Sequence, residues 1–579
     1  MHSCVGLVVY LVGILWLLLF PLVSISSGEL KPRSLYIDEH ALLINSGTKY
    51  LYAHGTSTYS VNSSSVNDEE QKDELCNMFH CQELYMSNDE KTNPIVHIEL
   101  NSRHLETIVI SFIVSPSQRS NNYITSIAKQ IKDTKWIAKN VLLLLIYQDC
   151  ANDKCDRNNN ELLYSERIER WFQLHYHHRY GLLRQNFIVD LTQIDKVSGS
   201  DSMTELMYVG VDGQLPNMDL LSAALAVLPP HVVVEGRSKR YANAYEKEHP
   251  MQYLPTSSLP RVLQLLVLHL HQIISNLFGK TAPIDDYFHR LTALFEHLFA
   301  SAKGPSGVHS QFQLRNIDSM TLRYHNQSSY DVTNDVMKLV RVANNLHEEL
   351  HHSHFYYLIM GHRHFVGITE YASNYLLLLV PIILAYFHYC TAIKQESIEL
   401  KANGVDDVTQ VLLEYGANLL AFFLYYYFHT QYPRGDFAME TVLFVVTQFN
   451  ALRNTKKMNK LTILRDKIYS LLAIATYVVV AVYGGVVHYA LMLPIVLVTS
   501  PIILCISHEL VANRRFLATL IAVVVSVLLN PMSTKYILIH TGILESQNSI
   551  QASNTVFLLC LIAYTLYGLA FKVLFSLYL

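Results

Sequence analysis

Charge and cysteine are both scarce in this sequence. Only 16% of its 579 residues are Asp, Glu, Lys or Arg, and the formal net charge is −4. So small a balance, with no long basic tract, excludes a nucleic-acid partner gripped through its phosphates. Eight cysteines are too few to build a disulfide scaffold of this length. The chain has no G-x-S-x-G nucleophile turn, no Walker phosphate loop and no Rossmann glycine fingerprint. No motif therefore points to a serine hydrolase, an NTPase or a nicotinamide enzyme, and no cofactor is expected. No internal repeat is evident, which argues against a solenoid.

Apolar residues are abundant, making up 50% of the chain. Seven apolar runs fill its last third: Tyr375–Lys394, Gln410–His429, Phe437–Leu452, Ile468–Ala490, Leu491–His508, Phe516–Asn530 and Thr555–Leu579. About 20 apolar residues span a bilayer core as a helix, and most of these runs reach that length. The two short ones, Phe437–Leu452 and Phe516–Asn530, must borrow flanking residues. Unpaired backbone groups are too costly in lipid, so the runs are read as helices packed in a bundle.

An eighth run, Val5 to Ser24, opens the chain. It reads either as a signal peptide cleaved near the small residues Ser24–Gly28 or as a retained transmembrane helix. With a cytosolic N-terminus, the short cytosolic loops hold Lys394, Lys401, Arg453, Lys456, Lys457, Lys460, Arg465, Lys467, Arg514 and Arg515. The lumenal flanks hold only Lys31, Arg33, Arg434 and Lys535, so the positive-inside rule supports this orientation. The domains expected are an N-terminal helix over 1–27, a lumenal domain over 28–370 and a polytopic membrane domain over 371–579.

The lumenal part carries two N-x-S/T sequons, Asn62 and Asn326, as glycosylation candidates. Residues 55–93, rich in Ser, Asn, Asp and Glu, read as a loop or partly disordered insert. Strands are expected at Ile95–Leu100, Thr107–Val114, Asn140–Tyr147, Asn186–Leu191 and Leu206–Val211. Helices are expected at Tyr123–Lys132, Glu161–His178, Pro260–Phe278 and Ile284–Ala302, with edge β structure over Gln311–Leu322. Alternation of this kind implies an α/β domain with a largely parallel sheet. An amphipathic helix, placed within 334–370, presents Val336, Leu339, Val340, Ala343, Leu346 and Leu350 on one face and leads into the membrane.

Four cysteines form two close pairs, Cys76/Cys81 and Cys150/Cys155. They read as short disulfide loops, cross-linked pairs or reduced thiols. His347-Glu348-Glu349-Leu350-His351 is a literal H-E-x-x-H. On a helix it can bind zinc, with the glutamate as general base; with 28 histidines in the chain, such spacing also arises by chance. A co-catalytic zinc aminopeptidase of this layout needs His and carboxylates after successive strands. The chain instead offers Ser115-Pro116-Ser117-Gln118 after the second strand and Gln148-Asp149 after Asn140–Tyr147, a set unsuited to two zinc ions. Glu414, Asn418, Glu440, Asn450 and His488 fall in or near apolar runs, where polar residues mark function or bind helices together.

Several stretches resemble the Gaa-type (GPAA) subunit family of the glycosylphosphatidylinositol (GPI) transamidase. They are Ser34 to Leu42 and Val209-Gly210-Val211-Asp212-Gly213-Gln214-Leu215-Pro216-Asn217-Met218-Asp219-Leu220-Leu221. A third runs from His309 through Phe312 to Thr321-Leu322-Arg323. The fourth runs from Leu350 to Leu358, leading to Arg363-His364-Phe365-Val366. The resemblance implies an endoplasmic-reticulum membrane complex that joins a proprotein's new carboxyl end to a GPI lipid. Its lumenal domain resembles a zinc aminopeptidase without the metal site, and its chemistry belongs to a separate caspase-like cysteine protease subunit. The chain itself would be non-catalytic, binding GPI lipid, with Asn418, Tyr432 and Glu440 as contact candidates, and helping to assemble the complex. A membrane zinc protease using 347–351, or a lumenal domain that joins in amide bond formation, are the alternatives.

Overall fold

The computed structural model describes residues 2–22, 33–34, 81–84, 95–100, 106–114, 118–147, 164, 166–173, 182–194, 203–228, 232–234, 259, 261–279, 282–304, 307–325, 332–346, 357–360, 364–400, 409, 411–413, 415–416, 420 and 460–507. The chain divides into two compact units, Pro21–Ile368 and Met1–Phe20 with Thr369–Leu579.

The first unit is built on an eight-stranded mixed sheet. After α1 (His2–Leu19) and β1 (Arg33–Ser34), the strands are β2 (Cys81–Leu84), β3 (Ile95–Glu99), β4 (Glu106–Val114), β5 (Asn140–Tyr147), β6 (Leu182–Gln193), β7 (Met203–Met207), β8 (Val232–Val234) and β9 (Asp318–His325), in the spatial order β2-β3-β5-β4-β6-β9-β7-β8. The four central strands, β5, β4, β6 and β9, are parallel; β3 and β7 run against their inner neighbours. Helices α2 (Gln118–Asp133) and α3 (residues 166–173) connect β4, β5 and β6. Covering both faces explains why β4 and β5 read as nearly unbroken apolar runs. On one face Ile108, Ile110 and Phe112 join a core with Ile124, Ile127 and Ile131 of α2. On the other, Val109 and Ile113 meet Ile168, Trp171 and Phe312.

The remaining helices are α4 (Met218–Val227), α5 (Arg261–Phe278), α6 (Ala282–Lys303), the single turn α7 (Ser310–Gln313) and α8 (Val332–Asn345). Val336, Leu339, Val340 and Ala343 of α8 are fully buried in the α2-side core. Asn344 ties down the C-terminal end of α8. Its Oδ1 accepts from the backbone N–H groups of Ala138 (2.8 Å) and Lys139 (3.3 Å), while Lys139 Nζ donates to the Leu346 carbonyl at 2.9 Å. Charge-assisted capping of a helix's last carbonyls is favourable at this dipole end.

A second, three-stranded antiparallel sheet has the order β1-β11-β10, with β10 at Tyr357–Ile359 and β11 at His364–Gly367. Arg33 pairs with Phe365 and Ser34 with His364, so the first and last strands of the unit are hydrogen-bonded to each other.

Four expectations need correction. The stretch 311–322 is not edge structure: it divides into α7 and β9, and β9 lies inside the sheet between β6 and β9's antiparallel neighbour β7. The strand expected over 206–211 ends at Met207: beyond it Tyr208 O accepts from the Gln313 side chain, Gly210 N–H donates to Gln214 O, and Asp212 and Gly213 take positive φ (54° and 72°) as the chain turns. The insert 55–93 contains β2, paired to β3. The amphipathic segment is helical only to Asn345, and its continuation supplies β10 and β11, held by β1, rather than one helix.

In the second unit α1 is joined by α9 (Ile368–Leu400), α10 (Lys460–Val487) and α11 (Tyr489–Ser507). One stretch among the described residues, Ile368–Thr391, is long and apolar enough to cross a bilayer; the apolar parts Val5–Leu19, Leu471–Val487 and Tyr489–Pro501 are shorter. Of the expected runs, Gln410–His429 is described only in part, and Phe437–Leu452, Phe516–Asn530 and Thr555–Leu579 lie outside the described residues. Side chains reach backbone carbonyls on neighbouring helices. Asn374 Nδ2 donates to Gly13 (2.6 Å), Tyr375 OH to Ala481 (2.7 Å), Ser500 Oγ to Leu378 (2.7 Å) and Tyr10 OH to Leu497. Bonds of this kind, with small residues at the contact, hold helices together where no hydrophobic drive exists. Gly485 shows the second device: a Cβ there would stand 2.3 Å from the Tyr375 ring.

Candidate functional site

The stretch 208–219 leaves β7 at the sheet and folds into a knot of hydrogen bonds. Gly210 N–H donates to Gln214 O at 2.8 Å, and Gln214 N–H returns to Val211 O at 3.0 Å around one 3-10 turn, Val211–Gly213. Positive φ at Asp212 and Gly213 suits Gly and the short Asp side chain. At Gly210 space is the constraint, since a Cβ would lie 1.6 Å from Gln313 Oε1. Asn217 then caps α4, its Oδ1 accepting from Asp219 N–H at 3.1 Å. Its own N–H donates to Asp318 Oδ1 at 3.0 Å, and Tyr357 OH donates to Pro216 O at 2.9 Å. Burial, then the neighbouring Tyr208, Asp318 and Asp219, push the Tyr357 hydroxyl well above its usual pKa, so it stays a donor.

His309 closes the knot from the α7 side. Nε2 faces Val209 O at 2.9 Å and must carry the proton; Nδ1 then accepts from Thr321 Oγ at 3.0 Å. Complete burial lowers its pKa to about 4, with the Val209 bond opposing and the Arg323 charge reinforcing the shift, so the ring is neutral at pH 7. Ser319 Oγ donates to His309 O, and Gln313 Nε2 donates to both Tyr208 O (3.1 Å) and Ser319 O (3.0 Å).

Beside Thr321 on the same face of β9 is Arg323. Its Nε donates to Asp190 Oδ2 at 2.7 Å, and a guanidinium nitrogen lies 3.8 Å from Glu205. Thr192 adds two bonds to Asp190 Oδ1, at 2.7 Å from its hydroxyl and 3.0 Å from its N–H. Burial alone would raise the Asp190 pKa, but Arg323 and Thr192 outweigh it and hold the carboxyl below its usual range.

Chemically this arrangement is a clamp. Both imidazole nitrogens of His309 are bonded to the protein, and Asp190 and Glu205 both face Arg323. Among the described residues no group of three or more His, Cys, Asp or Glu is placed to hold a metal ion. What the knot gathers is the four stretches singled out in the sequence: Val209 meets His309, Pro216 meets Tyr357, and Ser34 pairs with His364.

Most of the individually expected site residues lie outside the described residues: Asn62, Asn326, Cys76, Cys150, Cys155, His347, Glu348, His351, Asn418, Tyr432 and Glu440. Cys81 opens the edge strand β2 opposite Ile98. His488 is buried between α10 and α11, its N–H bonded to Gly484 O at 2.7 Å. Tyr357 falls in the fourth resemblance stretch, whereas Asp190 and the interhelical Asn374 and Tyr375 are not among the expected site residues; Asp190 gives no signal beyond being a charge inside an apolar strand.

Residues 192–579 match the family model described as Gaa1-like, GPI transamidase component. The chain is 25% identical over 184 residues to GPI transamidase component GAA1 of Saccharomyces cerevisiae, covering 31% of this chain and 24% of that protein. It is 26% identical over 220 residues to GPI transamidase component gaa1 of Schizosaccharomyces pombe, covering 36% and 31%. The chain thus spans less than a third of the length of these relatives. Among solved structures it is similar to the LapA aminopeptidase of Legionella pneumophila, at 12% identity and a TM-score of 0.27 over 55% of this chain and 76% of that one, too loose a superposition to carry an argument. With its match running from Thr192 to Leu579, well over half its length, the chain belongs to the Gaa1-like family of GPI transamidase components.

Proposed function

We propose that the chain is a non-catalytic subunit of a GPI transamidase in the endoplasmic-reticulum membrane. The observation that carries this reading is the family match, which includes three of the four motif stretches, all but Ser34 to Leu42, and continues through the apolar last third. In this reading the unit Pro21–Ile368 faces the lumen, both termini are cytosolic, and seven helices follow it, as the distribution of Lys and Arg favours. The unit keeps an aminopeptidase-like scaffold for docking and leaves bond chemistry to a caspase-like cysteine protease. The clamp supports this division of labour: its polar groups are engaged with one another and fix the loop 208–217, a rigid surface for partners. The helix bundle binds the GPI lipid, with Asn418, Tyr432 and Glu440 as proposed contacts, and proprotein substrates meet it at the complex.

Affinity purification of the tagged full-length chain after mild detergent extraction tests the reading. A caspase-like cysteine protease and further multi-spanning subunits are expected to co-purify. Their consistent absence would overturn it.

A further inference from the structure

The turn that joins α2 to β5 presents an indole and a guanidinium together. Arg341 Cζ, on α8, stands 5.2 Å from the centroid of the Trp136 ring, within reach of a cation–π contact. Trp136 is 37% exposed. Its carbonyl accepts from Asn344 Nδ2 at 3.4 Å, while Asn344 Oδ1 holds the N–H groups of Ala138 and Lys139. Ile137, between them, is buried in the α2-side core. The turn is therefore fixed in place by the protein itself. Around it Lys129, Lys132 and Lys135 are all exposed, and Asp133 is the one acid between 129 and 135. Lys139 adds nothing to this surface, since it is buried against Glu106 at 3.1 Å. Among the described residues no carboxylate pairs with Lys129, Lys135 or Arg341, and Arg341 Nε makes no hydrogen bond.

A helix dipole favours cations at this end of α2, but it accounts for neither the exposed ring nor the guanidinium stacked on it. Stacking engages the flat face of the guanidinium and leaves its in-plane N–H fork, the shape that grips a carboxylate or phosphate in two bonds. Four cations against one acid call for an anionic occupant. Trp and Arg are also the side chains that anchor protein interfaces, and a turn held rigid in advance spares the cost of ordering it. A lipid surface fits less well. Seating in a bilayer needs an apolar face, whereas Trp136 is the one exposed large apolar side chain of α2, the turn 134–139 and α8 among the described residues. Anionic lipid, moreover, charges the cytoplasmic leaflet, the side opposite to the one proposed above for this unit. We propose that this turn docks an acidic segment of a partner protein. One carboxylate grips Arg341, the segment packs on Trp136, and further Asp or Glu side chains face the lysines. The choice of protein over lipid rests on the lumenal placement given under the proposed function; the anionic chemistry does not.

The tagged full-length chain, extracted with its partners in mild detergent and treated with a water-soluble carbodiimide, tests the inference. The reagent joins a lysine amine to a carboxylate only where the two are in contact. Peptide mass spectrometry is expected to find Lys129, Lys132 or Lys135 bonded to an Asp or Glu of a second protein. High salt added beforehand should suppress the product. Trp136→Ala with Lys135→Glu should lower the yield at Lys129 and Lys132 at least tenfold. Arg261→Glu, at an exposed position on α5, should leave that yield unchanged. Circular dichroism confirms the fold of each variant, and the cross-link on the unsubstituted chain needs no variant at all. Partners that cross-link elsewhere on the chain but never at these lysines overturn this proposal alone. Lysines that join no protein, yet are shielded from acetylation by phosphatidylserine nanodiscs and not by phosphatidylcholine ones, overturn it in favour of lipid. If no protein co-purifies, the proposed function falls and this inference with it.

Discussion

His309 and Val209 stand 100 residues apart in sequence, and the imidazole Nε2 of one lies 2.9 Å from the carbonyl oxygen of the other. The bond requires the proton on Nε2, and the ring's burial keeps it neutral down to about pH 4, leaving Nδ1 free to accept from Thr321. In the unfolded chain the same histidine takes up a proton near pH 6.5. Between those values the unfolded state binds more protons, so stability is full above pH 6.5 and falls as pH drops toward 4. The whole difference amounts to about 3 kcal/mol. Thermal unfolding of the full chain at pH 7 and pH 5 checks this: His309→Gln should flatten the pH dependence, leaving a smaller drop than the unsubstituted chain shows.

The Asp190–Arg323 pair is buried on both sides, with side chains 7% and 8% exposed. Arg323→Met would leave a carboxylate without its cation and should destabilise the unit by about 3–5 kcal/mol. Asp190→Asn with Arg323→Met removes both charges and should recover much of that loss. A double-mutant cycle on chemical unfolding measures the coupling, and additive effects would contradict the clamp.

Gly210 can accept no side chain while Gln313 keeps its place. Gln313 Nε2 already bonds Tyr208 O and Ser319 O, so moving its amide away from a new Cβ forfeits two buried bonds. Gly210→Ala should cost about 2–4 kcal/mol by crowding and lost hydrogen bonds. Hydrogen exchange should quicken across 208–217 and around β9 while β5 stays protected.

In the helical unit, Gly485→Val should drive the Tyr375 ring off and break its bond to Ala481. Asn374→Leu removes the bond to Gly13 and should cost about 0.6–2 kcal/mol, the range for such interhelical bonds. Thermal aggregation midpoints in detergent should fall for both, and further for the valine, because it adds a clash to a lost bond.

Legibility in the sequence followed burial on both faces. Strand β5 occupies the expected Asn140–Tyr147, because a parallel strand covered by helices reads as one apolar run. Strand β9, expected as edge structure, has Ser319, Thr321 and Arg323 alternating with Met320, Leu322 and Tyr324, a pattern that also suits a strand with one wet face. Those polar groups are instead dry, bonded to His309 and Asp190. Helix α4 was missed because Leu220, Leu221, Ala223 and Ala224 are all buried, which erases the helical period. The motif stretches are visible as a resemblance, but their mutual contacts are not, since they join residues 100 to 330 positions apart.

The proposed function holds that this chain is required for GPI attachment without performing its chemistry. Microsomes depleted of the chain, given back either the unsubstituted protein or the triple variant His347→Ala, Glu348→Ala, His351→Ala, measure it directly through a reporter proprotein's transfer to GPI. Loss of transfer on depletion and equal rescue by both proteins is the predicted result. Transfer that survives depletion, or a triple variant that assembles with its partners yet fails to restore transfer, would contradict it.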